Sequence, residues 1–321
     1  MSPDRRQVLT GVAASLIGWN MPASAQEAPK GATTSAPDRA RVVLLGTAGG
    51  PSPKVSRSAP AAMVVAGGRI YVVDCGNGVA RQIVRAGFAL KDLNSIFITH
   101  QHSDHNLDYG NLFYLAWSAA LKGAVNSYGP PPLSKMTEKF FELNEFDVDL
   151  RIHDEGRLDP RKLLVPHEIT SAGAVMQDEN VKVTCALVDH PPIKVALAYR
   201  FDTPNRSIVF SGDTRKCDAL IELAKGADVL VCEGQYLPGI RGLAERIAAE
   251  PSRREAIFKS ISGNALSVQQ AGEVAKEAGV KTLVINHFVP GDDTVPEYVW
   301  LDAARESFSG EVIVGRDLLE I

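Results

Sequence analysis

One short segment limits this chain more than any other. Ser95-Ile96-Phe97-Ile98-Thr99 is an apolar run that reads as a buried strand. It leads directly into His100-Gln101-His102-Ser103-Asp104-His105, three imidazoles and a carboxylate within six residues. The whole chain of 321 residues has only seven histidines, so this concentration is far above what its composition supplies to a surface loop. Residues two apart on an extended or tightly turning loop point the same way. His100 and His102 can therefore share one cation, while Asp104 and His105, beyond the turn, face a second. The strand in front supplies the rigid base that such a loop needs.

Companion elements lie on both sides. Residues 41–46 form an apolar run ending in glycine, hence a buried strand, and residues 62–66 and 70–74 flank Gly67-Gly68-Arg69 as a hairpin. Helices are expected at 78–86, 112–121 and 133–144, and the less regular stretch 147–178 leaves room for an edge hairpin. The second half repeats the pattern, with strands at 181–188, 195–201, 207–210, 229–231 and 282–285 and helices at 217–225, 243–261 and 267–278. Strands grouped with helices in each half predict two sheets covered by outer helices.

The beginning of the chain reads as an address. Arg5-Arg6 precede an apolar stretch at 8–19, and Ala23-Ser24-Ala25 supplies a small-residue cleavage pattern. Residues 1–25 are thus expected to be a signal peptide of the twin-arginine type, and the mature protein periplasmic, without membrane contact after cleavage. A linker at 26–40 and one hydrolase domain at 41–321 follow. Cys75, Cys185, Cys217 and Cys232 match no zinc motif and read as core thiols, although one pair could bridge in an oxidising compartment. A net charge of −4 gives no electrostatic reason to expect nucleic acid as a partner.

The histidine segment resembles the complete signature of the metallo-β-lactamase superfamily. Gly46-Thr47-Ala48-Gly49-Gly50-Pro51 and Val73-Asp74-Cys75-Gly76 are similar to that family's N-terminal motifs. Asp189-His190-Pro191-Pro192, Phe210-Ser211-Gly212-Asp213-Thr214 and Ile285-Asn286-His287 are similar to its later ligand motifs. The resemblance implies a four-layer αββα sandwich of the α/β (α+β) class. It implies one metal on His100, His102 and His190, and a second on Asp104, His105 and His287, with Asp213 bridging both. Asp104 and Asp213 become the candidate catalytic carboxylates, and Asp74 an orienting residue behind the ligand loop. His153 and His167 match no motif and are expected at the surface.

Nitrogen and carboxylate donors without thiolate suit Zn²⁺, two per chain, with Mn²⁺ or Fe as alternatives. Two such ions about 3.5–4 Å apart share a hydroxide nucleophile, so no serine elbow is needed, and none is present. Within the superfamily, the ribonuclease Z branch has a His-Glu pair where Cys232-Glu233 stands, and a His-Ser-Thr motif where Asn264-Ala265-Leu266-Ser267 stands. The twenty-two residues between His190 and Asp213 leave no room for a long RNA-gripping arm. The arylsulfatase-like branch resembles residues 278–290 more closely, and its members often carry export signals. The expected substrate is therefore a small aryl sulfate or similar ester, with no nucleic-acid partner and a homodimer left open. Phosphodiesterase or lactonase activity of the same fold, and a non-catalytic metal-binding role, are the alternatives. Tyr109, Phe113, Tyr114 and Trp117 either wall an apolar pocket beside the metals or pack the core.

Overall fold

The computed structural model describes residues 39–321. The expected signal peptide lies outside the described residues, as does the linker apart from Arg39 and Ala40. The strands are β1 (Arg41–Gly46), β2 (Ala61–Ala66), β3 (Arg69–Val73), β4 (Leu93–Phe97), β5 (Val125–Gly129), β6 (Leu164–Glu168), β7 (Gly173–Gln177), β8 (Lys182–Val188), β9 (Ala196–Thr203), β10 (Arg206–Phe210), β11 (Val229–Gln235), β12 (Thr282–Val289) and β13 (Glu311–Val314). The helices are α1 (Val79–Arg85), α2 (Ser103–Asn106), α3 (Tyr109–Ser118), α4 (Leu133–Leu143), α5 (Glu145–Glu155), α6 (Asp218–Ala224), α7 (Leu237–Ile247), α8 (Pro251–Ser262), α9 (Val268–Ala278) and α10 (Glu297–Arg305).

Two sheets form, in the orders β1-β2-β3-β4-β5-β6 and β13-β12-β11-β10-β9-β8-β7. In the first, β3 to β6 run parallel and the β1–β2–β3 edge is antiparallel. In the second, β10 to β13 run parallel and β7 to β10 antiparallel. Side-chain alternation sorts the apolar residues into layers. Val42 and Leu44 of β1 enter the core between the sheets, where they join Phe97, Tyr199 and Phe210. Val43 and Leu45 turn outward to the layer of α1 and α3. Leu230, Leu283 and Ile285 of the second sheet pack on α9 and α10. Strands buried on both faces read as unbroken apolar runs, which is why they were visible in the sequence. The arrangement is the expected αββα sandwich.

The differences have local causes. The stretch 147–178 holds no hairpin: it completes α5, and then β6 pairs in parallel with β5 while β7 pairs antiparallel with β8 in the other sheet. The expected helix at 243–261 is two helices, because Pro251 opens α8 and disfavours helical backbone in the residue before it. β5, α10 and β13 went unread; β5 carries Asn126 and Ser127 in place of an apolar run. Among the described residues, no helix is long and apolar enough to cross a membrane.

Candidate metal centre

The parallel strands end at one edge of the sandwich, where an α/β sheet presents its loops. The loop after β4 is tied to both sheets just before His100. Ile98 N–H donates to Tyr128 O at 2.8 Å, and Leu197 N–H donates to Thr99 O at 2.9 Å. Asp74, directly after β3, sits at φ +61 and braces the loop from behind. Its carboxylate accepts the Thr99 N–H at 2.8 Å, the Thr99 hydroxyl at 2.9 Å and His105 Nδ1 at 2.8 Å. The short α2 then places Asp104 and His105 in its first turn.

The second sheet contributes three separate segments. His190 lies between β8 and β9, and its Nδ1 donates to the carbonyl of Asn264 at 2.6 Å. Asp213 follows β10 through Gly212, whose φ of +59 turns the chain where a side chain would meet Leu197 O at 2.7 Å. His287 sits in a bulge. Glu233 of β11 faces Asn286, and Gly234 faces Phe288, so His287 is the extra residue, at φ +46. Gly49 lets the neighbouring backbone pass, since a Cβ there would stand 2.9 Å from the His287 ring.

The structure brings all seven expected ligands together in two groups, His100/His102/His190/Asp213 and Asp104/His105/His287, each with donor atoms within 4.8 Å of one another. His100 Nε2 and His190 Nε2 lie 2.9 and 3.2 Å from His102 Nδ1. His105 Nε2 lies 3.1 Å from His287 Nε2. Asp213 stands between the groups: Oδ1 is 3.4 Å from His105 Nε2, and Oδ2 is 4.0 Å from His100 Nε2 and 3.4 Å from His287 Nε2.

This donor set fits a pair of divalent cations. The outer Nδ1 of His105 and His190 are engaged by acceptors, so each ring directs its Nε2 lone pair inward, where it meets other nitrogen lone pairs. Asp213 Oδ1 and His287 Nδ1 are buried without a hydrogen-bond partner. Burial, then the charge of His105, push the His100 imidazole well below its usual range, which leaves a neutral ligand. Against the cost of burial, Asp213, Asp74 and Asp104 push His105 well above its usual range: the carboxylates call for positive charge at this point. Burial opposes ionisation of Asp213 too, but His287 and His105 hold its carboxyl well below the usual range.

Over the centre opens a cleft of about 500 Å³, walled by Leu243 and Ile247 of α7, Ile261 of α8 and the Gly49–Ser52 turn. Gly50 N–H donates to Asp104 Oδ2 at 2.9 Å, so this turn also holds a ligand. The aromatic run takes no part in the cleft. Tyr109, Phe113 and Trp117 are buried beneath the first sheet, and Tyr109 OH bonds Ser127 and Thr137 there. His153 is exposed on α5, while His167 on β6 stacks on Tyr128. Cys75, Cys185, Cys217 and Cys232 are all free thiols.

Sequence reasoning undervalued Glu233, noting it only as the neighbour of a missing histidine. Its side chain is buried, Oε1 accepts the N–H groups of Thr214 and Leu266, and Oε2 lies 3.9 Å from His287 Nδ1. Burial, and then Asp213, push its carboxyl well above the usual range. A carboxylate directly after the apolar run Val229-Leu230-Val231-Cys232 was the available signal, since buried carboxyls persist where they have partners.

A family model described as the Beta-lactamase superfamily domain matches residues 69–288. Ribonuclease Z from Mycobacterium bovis (strain BCG / Pasteur 1173P2) is 33% identical over 280 residues, covering 86% of this chain and 96% of that protein. Ribonuclease Z from Mycobacterium marinum is 33% identical over the same shares. Among solved structures, the metallo-β-lactamase fold protein YhfI from Bacillus subtilis superposes with a TM-score of 0.67 at 19% identity, over 88% of this chain and 99% of its own. Human tRNase Z, short form, gives 0.63 at 21% identity, over 88% and 98%.

These relatives correct two expectations. An aryl sulfate or other small ester as substrate, and the absence of a nucleic-acid partner, are both overturned by full-length similarity to proteins named for a ribonuclease. Three supports of the small-ester expectation fail for identifiable reasons. Two short motif departures weigh less than likeness along 280 residues. The missing arm does not discriminate either: 86% of this chain fills nearly all of that alignment, so the Mycobacterium bovis protein carries no long insertion within it. Net charge, finally, sums the whole surface, whereas nucleic acid reads only a local part of it. A chain that is 33% identical to ribonuclease Z across 96% of that protein, on this sandwich, belongs to the metallo-β-lactamase superfamily.

Proposed function

We propose that the chain is a two-metal hydrolase of RNA phosphodiesters. The observation that carries this reading is the convergence of a complete histidine–aspartate donor set at the sheet edge, in a chain whose full-length relatives are named ribonuclease Z. His100, His102 and His190 would hold one ion and Asp104, His105 and His287 the other, with Asp213 between them. Imidazole and carboxylate donors without thiolate favour zinc, with manganese or iron as alternatives. When bound, such a pair supplies a water activated near neutral pH and positive charge against the phosphoryl oxygens.

The chain's own residues prepare that chemistry. Asn264 O keeps a proton on His190 Nδ1, and Asp74 keeps one on His105 Nδ1, so both rings present the correct nitrogen. The cleft of about 500 Å³ is of a size to take a nucleotide-sized group and exclude bulk water around it. Gln235 and Asn264 add neutral polar groups to its wall, suited to a sugar or base edge.

The test is cleavage by the zinc-reconstituted full chain of a 5′-labelled precursor transfer RNA, run beside 4-nitrophenyl sulfate. RNA cleavage abolished by chelation and restored by zinc is the expected result. Turnover of the sulfate without cleavage of any RNA would overturn the reading. Export through residues 1–25 is a separate proposal, motivated by Arg5-Arg6 and Ala23-Ser24-Ala25. N-terminal sequencing from the native host should find a start near Gln26; Met1 retained on cytosolic protein would exclude it.

A further inference from the structure

The metal cleft has a neighbour. A second hollow of about 580 Å³ adjoins it, and the two share Pro51, Ser52 and Lys54 on the turn that separates them. Its floor is α1, which starts five residues after Asp74 and is thus anchored to the metal centre through the chain itself. Arg81 and Arg85 are four apart on that helix and lie on one face, about 6 Å apart along the axis. Both are exposed and both line the hollow, together with Asn77 and the hydroxyl-bearing Ser56 and Ser58.

The hollow is positive on balance, since Lys54, Arg57, Arg81 and Arg85 line it against two carboxylates. Its two carboxylates are turned to internal work. Asp108 accepts the N–H of Gly78 at 2.7 Å and the Asn111 amide at 3.1 Å. Asp317 accepts the N–H groups of Thr47 at 3.1 Å and Ser58 at 2.6 Å. Arg57 is also committed, bonding Thr47 Oγ1 at 2.8 Å and lying over the Phe288 ring at 4.2 Å. Arg85 keeps only a 2.8 Å bond to the neutral Gln82 amide, and neither Arg81 nor Arg85 has a carboxylate partner among the described residues. A third hollow, of about 530 Å³, lies past Arg85 and Arg57, but there Asp293, Glu297 and Asp317 balance the cations and Arg316 is paired with Glu297 at 2.6 Å, so the unpaired positive face ends at Arg85.

We propose that the Arg81/Arg85 face of α1 is the lane that receives the phosphate backbone of an RNA substrate whose scissile bond lies in the metal cleft. The inference rests on the RNA reading of the centre and adds to it a direction and two residues. Guanidinium forks on one face, with the hydroxyl-bearing Ser56 and Ser58 beside them, suit sugar-phosphate contact, and they carry no base code. The acidic net charge of the chain is no obstacle, because the lane is a local exception to it.

The experiment compares the full chain with its R81Q/R85Q variant on the labelled precursor transfer RNA and on bis(4-nitrophenyl) phosphate, from 50 to 300 mM salt. Melting temperature and metal content verify that the variant is folded and loaded. The ratio of kcat/KM on RNA to kcat/KM on the small diester should fall about ten-fold or more. The salt dependence of RNA KM should become shallower by about 1–2 in log–log slope, as expected for two lost phosphate contacts. An unchanged ratio and slope, with a parent chain that cleaves RNA, would overturn the lane alone. A parent chain that cleaves the small diester but no RNA would overturn the RNA reading, and the lane with it.

Discussion

The two sheets supply the metal centre in different ways. The first provides four ligands from one six-residue loop and satisfies them locally. Asp74 takes three hydrogen bonds, from Thr99 and His105, and Gly50 N–H secures Asp104. The second provides His190, Asp213 and His287 from segments far apart in sequence, and leaves atoms without partners. Asp213 Oδ1, Glu233 Oε2, Asn286 Oδ1 and His287 Nδ1 are all buried and unbonded, around a cavity of about 40 Å³ beneath the centre. That volume admits a water molecule, and the surrounding groups are polar enough to hold one. In the first half Asp74 and Gly50 brace the ligand loop by protein bonds, while in the second His190 is held by the Asn264 carbonyl and the groups around Asp213 and His287 keep unpartnered atoms.

This contrast can be broken, beginning with the residue between the halves. Asp213→Ala should lower RNA turnover by about 10²-fold or more, since it removes the anion that reaches both groups. Metal content by elemental analysis should drop below two per chain, and a variant with parental turnover and two metals would end the present assignment. Asp74→Asn comes next. It keeps the size and tolerates the positive φ, but weakens the acceptor behind His105, so metal affinity should fall about 10–100-fold in a competitive chelator titration.

Glu233 tests the looser half. Burial, and then Asp213, push its carboxyl well above the usual range, and Glu233→Gln keeps the shape and the oxygen that accepts the Thr214 and Leu266 N–H groups. Metal affinity should therefore fall less than for Asp74→Asn, by no more than about three-fold against the roughly 10–100-fold usual for orienting residues. Glu233→Ala removes the acceptor of two buried N–H groups and should cost about 1–3 kcal/mol in denaturant unfolding. If Glu233→Gln weakens metal as strongly as Asp74→Asn, the two halves are braced alike and the contrast is wrong. The smallest effects belong to His153→Ala and His167→Ala. Neither ring approaches the centre, and turnover should stay within about two-fold of the parent chain, inside the ±0.5 kcal/mol usual for such surface changes.

The sandwich was legible because strands buried on two faces write unbroken apolar runs, and the first half of the centre because it is a contiguous word, His100 to His105, behind such a run. His190, Asp213 and His287 could be named only by resemblance, since single residues far apart carry no local pattern. Bulge geometry at His287, which aims that ring, exists only once β11 and β12 pair with a skipped register. The burial of Glu233 against Asp213 and the seating of the aromatic run in the core likewise needed the neighbours to be in place. The small-ester expectation fell to likeness spread along 280 residues, which no single motif carries. Composition determined a net charge, but only the folded chain decided where Asp108 and Asp317 spend their charge inward and where Arg81 and Arg85 are left facing out.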